Sequence, residues 1–94
     1  MRVKWLQLAL ADIDAEADYI ARDDPAAADR VTERIRSSVE QLAEYPAAGR
    51  AGRVPGTREF VISGTPYIVA YRVRERGLEV LRVLHAARRW PSEF

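Results

Sequence analysis

Cysteine is absent from this chain. No disulfide can form, and no thiolate can hold zinc or an iron–sulfur cluster. Histidine occurs once, at His85, and a lone imidazole without cysteine makes no metal centre. Neither a metal nor any other cofactor is expected. Lysine also occurs once, at Lys4, so arginine carries nearly all the positive charge. No apolar run approaches the length of a membrane span, and the basic start meets Asp12 and Asp14 too soon for a secretory signal. Internal repeats and low-complexity tracts are missing too. The expectation from these absences is a cytoplasmic protein without membrane contact.

What is present fits one small globular domain over residues 1–94. A chain of this length buries only a modest share of its surface, which favours a folded partner or an oligomer. The net charge is +1, but it is unevenly spread. Met1 to Gly49 hold six basic and ten acidic residues, whereas Arg50 to Phe94 hold nine basic and four acidic ones. The second half therefore offers an arginine-rich surface, and the planar guanidinium suits carboxylates and phosphates.

Periodicity divides the chain into a helical and a strand half. "RVKW" reads as a short edge strand. Leu6, Leu10, Ile13, Ala17 and Ile20 recur at helical spacing, with Asp12, Asp14, Glu16 and Asp18 off that stripe on an acidic side. Asp24 caps and Pro25 opens a second helix, whose stripe is Ala28, Val31, Ile35, Val39 and Leu42. The short link makes the two helices an antiparallel hairpin. "YPAAGRAGRVPGT" reads as a loop with solvated Arg50 and Arg53. "GRAG" has no strand–loop–helix context and is not a phosphate loop. "REFVIS", "YIVAYRVR" and "LEVLRVLH" read as three strands of a meander. The expected class is α+β: an N-terminal strand, a helical hairpin, then a three-stranded antiparallel meander with the hairpin on one face.

A three-residue turn at Glu75–Gly77, with Gly77 left-handed, predicts a register pairing Arg74 with Leu78 and Tyr67 with His85. One face then carries Phe60, Ile62, Tyr67, Val69, Tyr71, Val73, Leu81, Val83 and His85, and forms the core. The other carries Glu59, Val61, Ile68, Ala70, Arg72, Arg74, Val80, Arg82 and Leu84. That mixture of aliphatic and basic groups reads as an open binding surface.

Two sets of residues carry candidate chemistry. Cleavage of RNA by its 2′-hydroxyl needs a base, an acid and cations around the phosphorane. Glu59 with Arg72 and Arg82, and separately His85, are the candidates; a cross-strand ion pair on a solvated sheet is the alternative for the first set, and a structural role at the end of the last strand is the alternative for His85. Ile68, Arg72, Arg74, Arg82, Leu84, Arg88 and Arg89 are the candidates for binding an acidic partner or a target. Trp90 reads as a hydrophobic plug, and Pro91 ends the segment.

The order and spacing of "YIARDDPAAADR", "LAEYPAAGR", "TREFVISGTPYIVAYRV" and "EVLRVLHAARRWP" resemble the ParE/RelE superfamily of type II toxin–antitoxin toxins. The ParE branch is the nearer likeness. The resemblance implies a growth-inhibiting toxin held by a cognate antitoxin, ParD-like and small, with an acidic C-terminal segment. It implies DNA gyrase as the target, with no sequence-specific DNA binding by the toxin itself. RelE-like members instead cleave mRNA on the ribosome, and a degenerate, non-toxic antitoxin-binding module is a third alternative. Cleaving members rely on basic residues along the second and third strands, among them an arginine just after the tyrosine that opens the third. Here Tyr67 is followed by Ile68, and Glu59 and Val61 stand where basic residues belong. The resemblance therefore favours a toxin that is not an enzyme.

Overall fold

The computed structural model describes residues 1–94. Strand β1 (Arg2–Trp5) leads into helix α1 (Gln7–Ala21) and helix α2 (Pro25–Glu44). Four strands follow: β2 (Arg50–Ala51), β3 (Arg58–Val61), β4 (Tyr67–Arg74) and β5 (Gly77–His85). They make one sheet in the order β1-β5-β4-β3-β2, in which β1 alone runs parallel to its neighbour. The expected α+β class holds. The meander is extended to five strands, by β1 at one edge and by β2 within the stretch read as loop. Neither helix is long and apolar enough to cross a membrane.

Local chemistry explains the hairpin. Asp24 accepts the Ala27 amide at 3.1 Å, and Pro25 occupies the first turn. Ala28, Ile35, Val39 and Leu42 of α2 are buried, with Val31 packed against them. Helix α1 departs from expectation. Its inward side is Ala9, Ile13, Glu16 and Ile20, while Leu10 is 48% exposed and Leu8 56% exposed. Asp12 and Glu16 thus lie toward the sheet and not on a solvated face. The cause is the approach of α1: it crosses the end of β5, where the sheet offers hydrogen-bond donors and arginines as well as apolar side chains.

The predicted register is right at one end of the β4–β5 pair and shifted at the other. Tyr67 faces His85 and Val69 faces Val83, but Tyr71 faces Val80 and Arg74 faces Gly77. The turn has two central residues, and the positive φ of 54° falls on Glu75, not Gly77. A β-bulge at Leu81 absorbs the difference. It moves Leu78 and Val80 into the core, and Leu81, though buried, lies outside the core cluster. Val73, expected in the core, is exposed near the turn.

Tyr71 anchors the loop after α2. Its hydroxyl donates to the Pro46 carbonyl at 2.7 Å and accepts the Gly49 amide at 2.9 Å. A Cβ at Gly49 would lie 2.5 Å from that hydroxyl oxygen, so only glycine fits. Gly49→Ala should cost about 1–3 kcal/mol by overpacking. Urea unfolding followed by circular dichroism measures it; a midpoint unchanged from the parent would show that the loop can step aside.

Candidate functional site

The sheet face away from the core carries the candidate residues, and it is less open than its sequence suggests. Register places Arg82, Ala70, Glu59 and Arg50 in one row across four strands. Ile68 and Leu84 form part of the next row. Glu59, Ile68 and Ala70 are all buried, although they lie outside the core cluster.

Glu59 explains part of this closure. Its carboxylate accepts the Arg53 amide at 2.8 Å, the Arg53 guanidinium at 3.0 Å and Arg50 Nη2 at 3.1 Å. Burial alone would raise the pKa of this carboxyl. The Arg53 side chain, the Arg53 amide and Arg50 overcome that and hold it at about 2. The Arg53 guanidinium also stacks on Trp90, 3.6 Å from the ring centroid. Arg50 and Arg53, read as solvated, therefore fold onto the sheet. Trp90 is half-buried as a plug, with an arginine over its ring.

The other arginines are paired elsewhere. Arg72 donates to Glu79 across the β4–β5 pair at 2.6 Å. Arg82 donates twice to Asp12, at 2.7 and 2.9 Å, and the same carboxylate accepts the Val83 amide at 3.0 Å. Asp12 thereby satisfies β5 beyond the last residue that pairs with β1. The expected acid–base set is thus not assembled: Glu59, Arg72 and Arg82 each have a different partner. Each ion pair offsets the charge that a phosphate would need.

A second cluster forms where β4 begins and β5 ends. The Tyr67 hydroxyl donates to buried Glu16 at 2.9 Å, and Arg88 bonds to the other oxygen of Glu16. Burial and the Glu16 carboxylate push the Tyr67 hydroxyl up to about 12, so it stays protonated as a donor. His85 meets the edge of the Tyr67 ring at 5.7 Å, and its Nδ1 accepts the Ala87 amide at 3.1 Å. His85 thus lies beside Tyr67 as the register implied. One ring nitrogen is occupied by the backbone, which suits a positioning role.

Ile68 is buried, and Leu84 is half-buried. Arg74 and Arg89 are exposed. Arg88 is largely exposed but already ion-paired. Sequence reasoning missed Asp12, Glu16, Arg50 and Arg53. The signal for the first two was present: positions 9, 12, 13, 16 and 20 share one helix face. For the two arginines there was none, because a loop has no period.

A two-helix hairpin packed on a five-stranded sheet that is antiparallel except for its first strand makes this a small α+β domain. The family described as "ParE toxin of type II toxin-antitoxin system, parDE" matches residues 3–90. A protein described as putative toxin Y4kP, from Sinorhizobium fredii, is 49% identical over 91 residues, covering 97% of this chain and 94% of that one. Toxin RelE2 of Caulobacter vibrioides is 39% identical over 87 residues, covering 93% of this chain and 97% of that one. A solved structure described as the chromosomal ParDE TA system from P. aeruginosa aligns with a TM-score of 0.81 at 31% identity, over 90% of this chain and 95% of that one. The chain belongs to the ParE toxin family of type II toxin–antitoxin systems.

The depressed Glu59 carboxyl makes stability depend on pH. Its folded pKa lies below the unfolded value of 4.5, so its contribution is complete above 4.5 and is lost as the pH falls through about 2. With Arg50 and Arg53 half-exposed, that contribution is on the order of 2 kcal/mol after discounting for solvent. Glu59→Gln should be less stable than the parent at neutral pH and flatter in the acid limb. Urea unfolding from pH 6 to pH 2 tests this. Parallel acid limbs in parent and variant would refute it.

Proposed function

We propose that this toxin arrests growth by acting on DNA gyrase, without cleaving RNA, and that a cognate antitoxin of the ParD type neutralises it. The observation that carries the reading is the dispersal of Glu59, Arg72 and Arg82 into separate ion pairs. A transferring phosphoryl group requires preorganised cations and a base near neutrality. A carboxyl held at about 2 by two arginines is a poor base. Arg53, which bonds Glu59, also stacks on the tail residue Trp90, so this carboxylate is covered by the chain's own groups. A protein target demands surface and no reacting groups, which agrees with this arrangement.

The antitoxin has to use groups that the chain leaves free. Leu8, Leu10 and Tyr19 are exposed on α1, and an acidic segment that orders on binding gains by covering such side chains. Arg89 supplies exposed positive charge, and half-buried Leu84 lies at the margin. Arg72, Arg82 and Arg88 reach an antitoxin only with charge already shared with Glu79, Asp12 and Glu16.

Purified toxin should inhibit gyrase supercoiling or trap gyrase on cleaved DNA, and primer extension on ribosome-bound mRNA should show no new ends. His85→Gln, which keeps a polar side chain but cannot shuttle protons, should retain most of the growth inhibition. Toxin-dependent mRNA cuts with untouched supercoiling would establish the RelE-type endonuclease instead. A folded His85→Gln variant without any toxicity would point the same way.

A further inference from the structure

The far end of the same sheet face carries a second basic array, remote from Glu59 and Trp90. Two register rows define it. Arg2, Gly77 and Arg74 lie side by side on β1, β5 and β4, and Lys4, Glu79 and Arg72 form the next row. Successive rows are two residues apart, so all six residues share one face. That face is opposite to the core, since Val3 and Leu78, which alternate with them, are turned inward. Four cations therefore surround one carboxylate, Glu79. Arg72 bonds to it, and Arg72, Arg74 and Lys4 all help to hold it ionised.

Arg2, Lys4 and Arg74 are exposed and have no carboxylate partner within salt-bridge distance. A groove of about 560 Å³ runs among Arg2, Lys4, Arg74 and Gly77, with Glu75, Arg76 and Glu79 also along it, so four cations face two carboxylates there. Its floor at Gly77 has no side chain, and a Cβ there would meet nothing closer than 3.7 Å. Edge protection accounts for cations on β1, because charged side chains blunt an open strand. Arg74 lies three residues beyond Tyr71, the last β4 residue that pairs with β3, so edge protection applies to it as well; what it leaves unexplained is the convergence of cations from β1 and β4 on one face. Like charges gathered on neighbouring strands repel, and a bound anion removes that cost.

The geometry points to a sequence-independent binding site for a phosphodiester backbone, in which Arg2 and Arg74 bracket a phosphate over Gly77 and Lys4 meets the next. The row spacing of about 6.7 Å, two residues of strand, is comparable to the step between successive phosphates of a nucleic-acid strand. An acidic peptide is disfavoured by the lining: Val3 is the sole apolar residue of the groove, and a segment that orders on binding must bury apolar surface. The site is independent of whether the chain acts on gyrase. It gives the toxin a hold on nucleic acid bound by whatever target it engages.

The test is fluorescence anisotropy of the purified full chain with a labelled random-sequence duplex of about 20 base pairs, titrated from about 50 to 200 mM salt. A single-stranded RNA of equal length distinguishes the two sources of phosphodiester. The triple variant Arg2→Gln, Lys4→Gln, Arg74→Gln should bind at least tenfold more weakly. Its slope of log affinity against log salt should fall by roughly 0.9 for each duplex phosphate that is no longer neutralised. Gly77→Glu, which places a carboxylate in the groove, should weaken binding similarly and needs no positive φ. The control Arg22→Gln, Arg30→Gln, Arg34→Gln removes equal charge from the helical hairpin and should bind like the parent. Equal weakening in the control and the triple variant would reduce the effect to net charge and overturn the site. So would absence of salt-dependent binding to either nucleic acid, or equal binding of a poly-glutamate peptide.

Discussion

A single extra residue in β5 organises this molecule. The β-bulge at Leu81 lets a two-residue turn at Glu75 and Arg76 coexist with the pairing of Tyr67 and His85. On one side of the bulge, Leu78 and Val80 point into the core; on the other, Val83 does so as well. A regular strand of period two cannot place all three there, because the parity of Val83 differs from that of Leu78 and Val80. The same shift turns Glu79 and Arg82 to the opposite face. Arg82 then comes within reach of Asp12, and Glu79 lies between Arg72 and Lys4.

The carboxylates of the first half close the polar side of the structure. Asp12 serves as a surrogate strand partner for Val83 and as the counterion of Arg82. Glu16 gathers Tyr67 and Arg88 around a buried oxygen pair. These long-range pairs connect α1 to the final strand and the tail, so part of the charge imbalance between the two halves of the chain is resolved inside one molecule. Removing the arginine from such a partly buried pair costs more than the pair itself contributes, because the covered carboxylate is left without its partner. The hairpin is therefore attached to the sheet by ions as well as by aliphatic packing. Its outer side keeps Leu8 and Tyr19 in solvent.

The proposal of a toxin that binds and does not cleave rests on these pairings. Arginines already paired with Asp12, Glu59 and Glu79 are not free to receive a phosphoryl group. The proposed gyrase-directed activity demands only a persistent surface. Membership of the ParE family rests on the whole chain and is independent of that proposal.

Much of the fold was legible because it depends on local rules. Asp24 and Pro25 mark a helix start, the spacing of Ile35, Val39 and Leu42 marks a buried helix face, and "YIVAYRVR" is a short apolar, β-branched and aromatic run of the kind that makes a buried strand. The sequence alone determined the two helices, β1, the three strands of the meander and their order, whereas β2 lay in a stretch read as loop, and the pairing of Tyr67 with His85 was reached through a three-residue turn that the molecule does not have. Only the tertiary structure decided the bulge at Leu81, since either turn length at Glu75–Gly77 satisfies local geometry and the choice depends on which apolar side chains the hairpin can cover. It alone decided the partners of Asp12, Glu16, Arg50, Arg53 and Arg82. A charged side chain carries no periodic signal for its counterion. Which of several carboxylates it meets depends on distances between elements far apart in the chain, and those are fixed only when the core has packed.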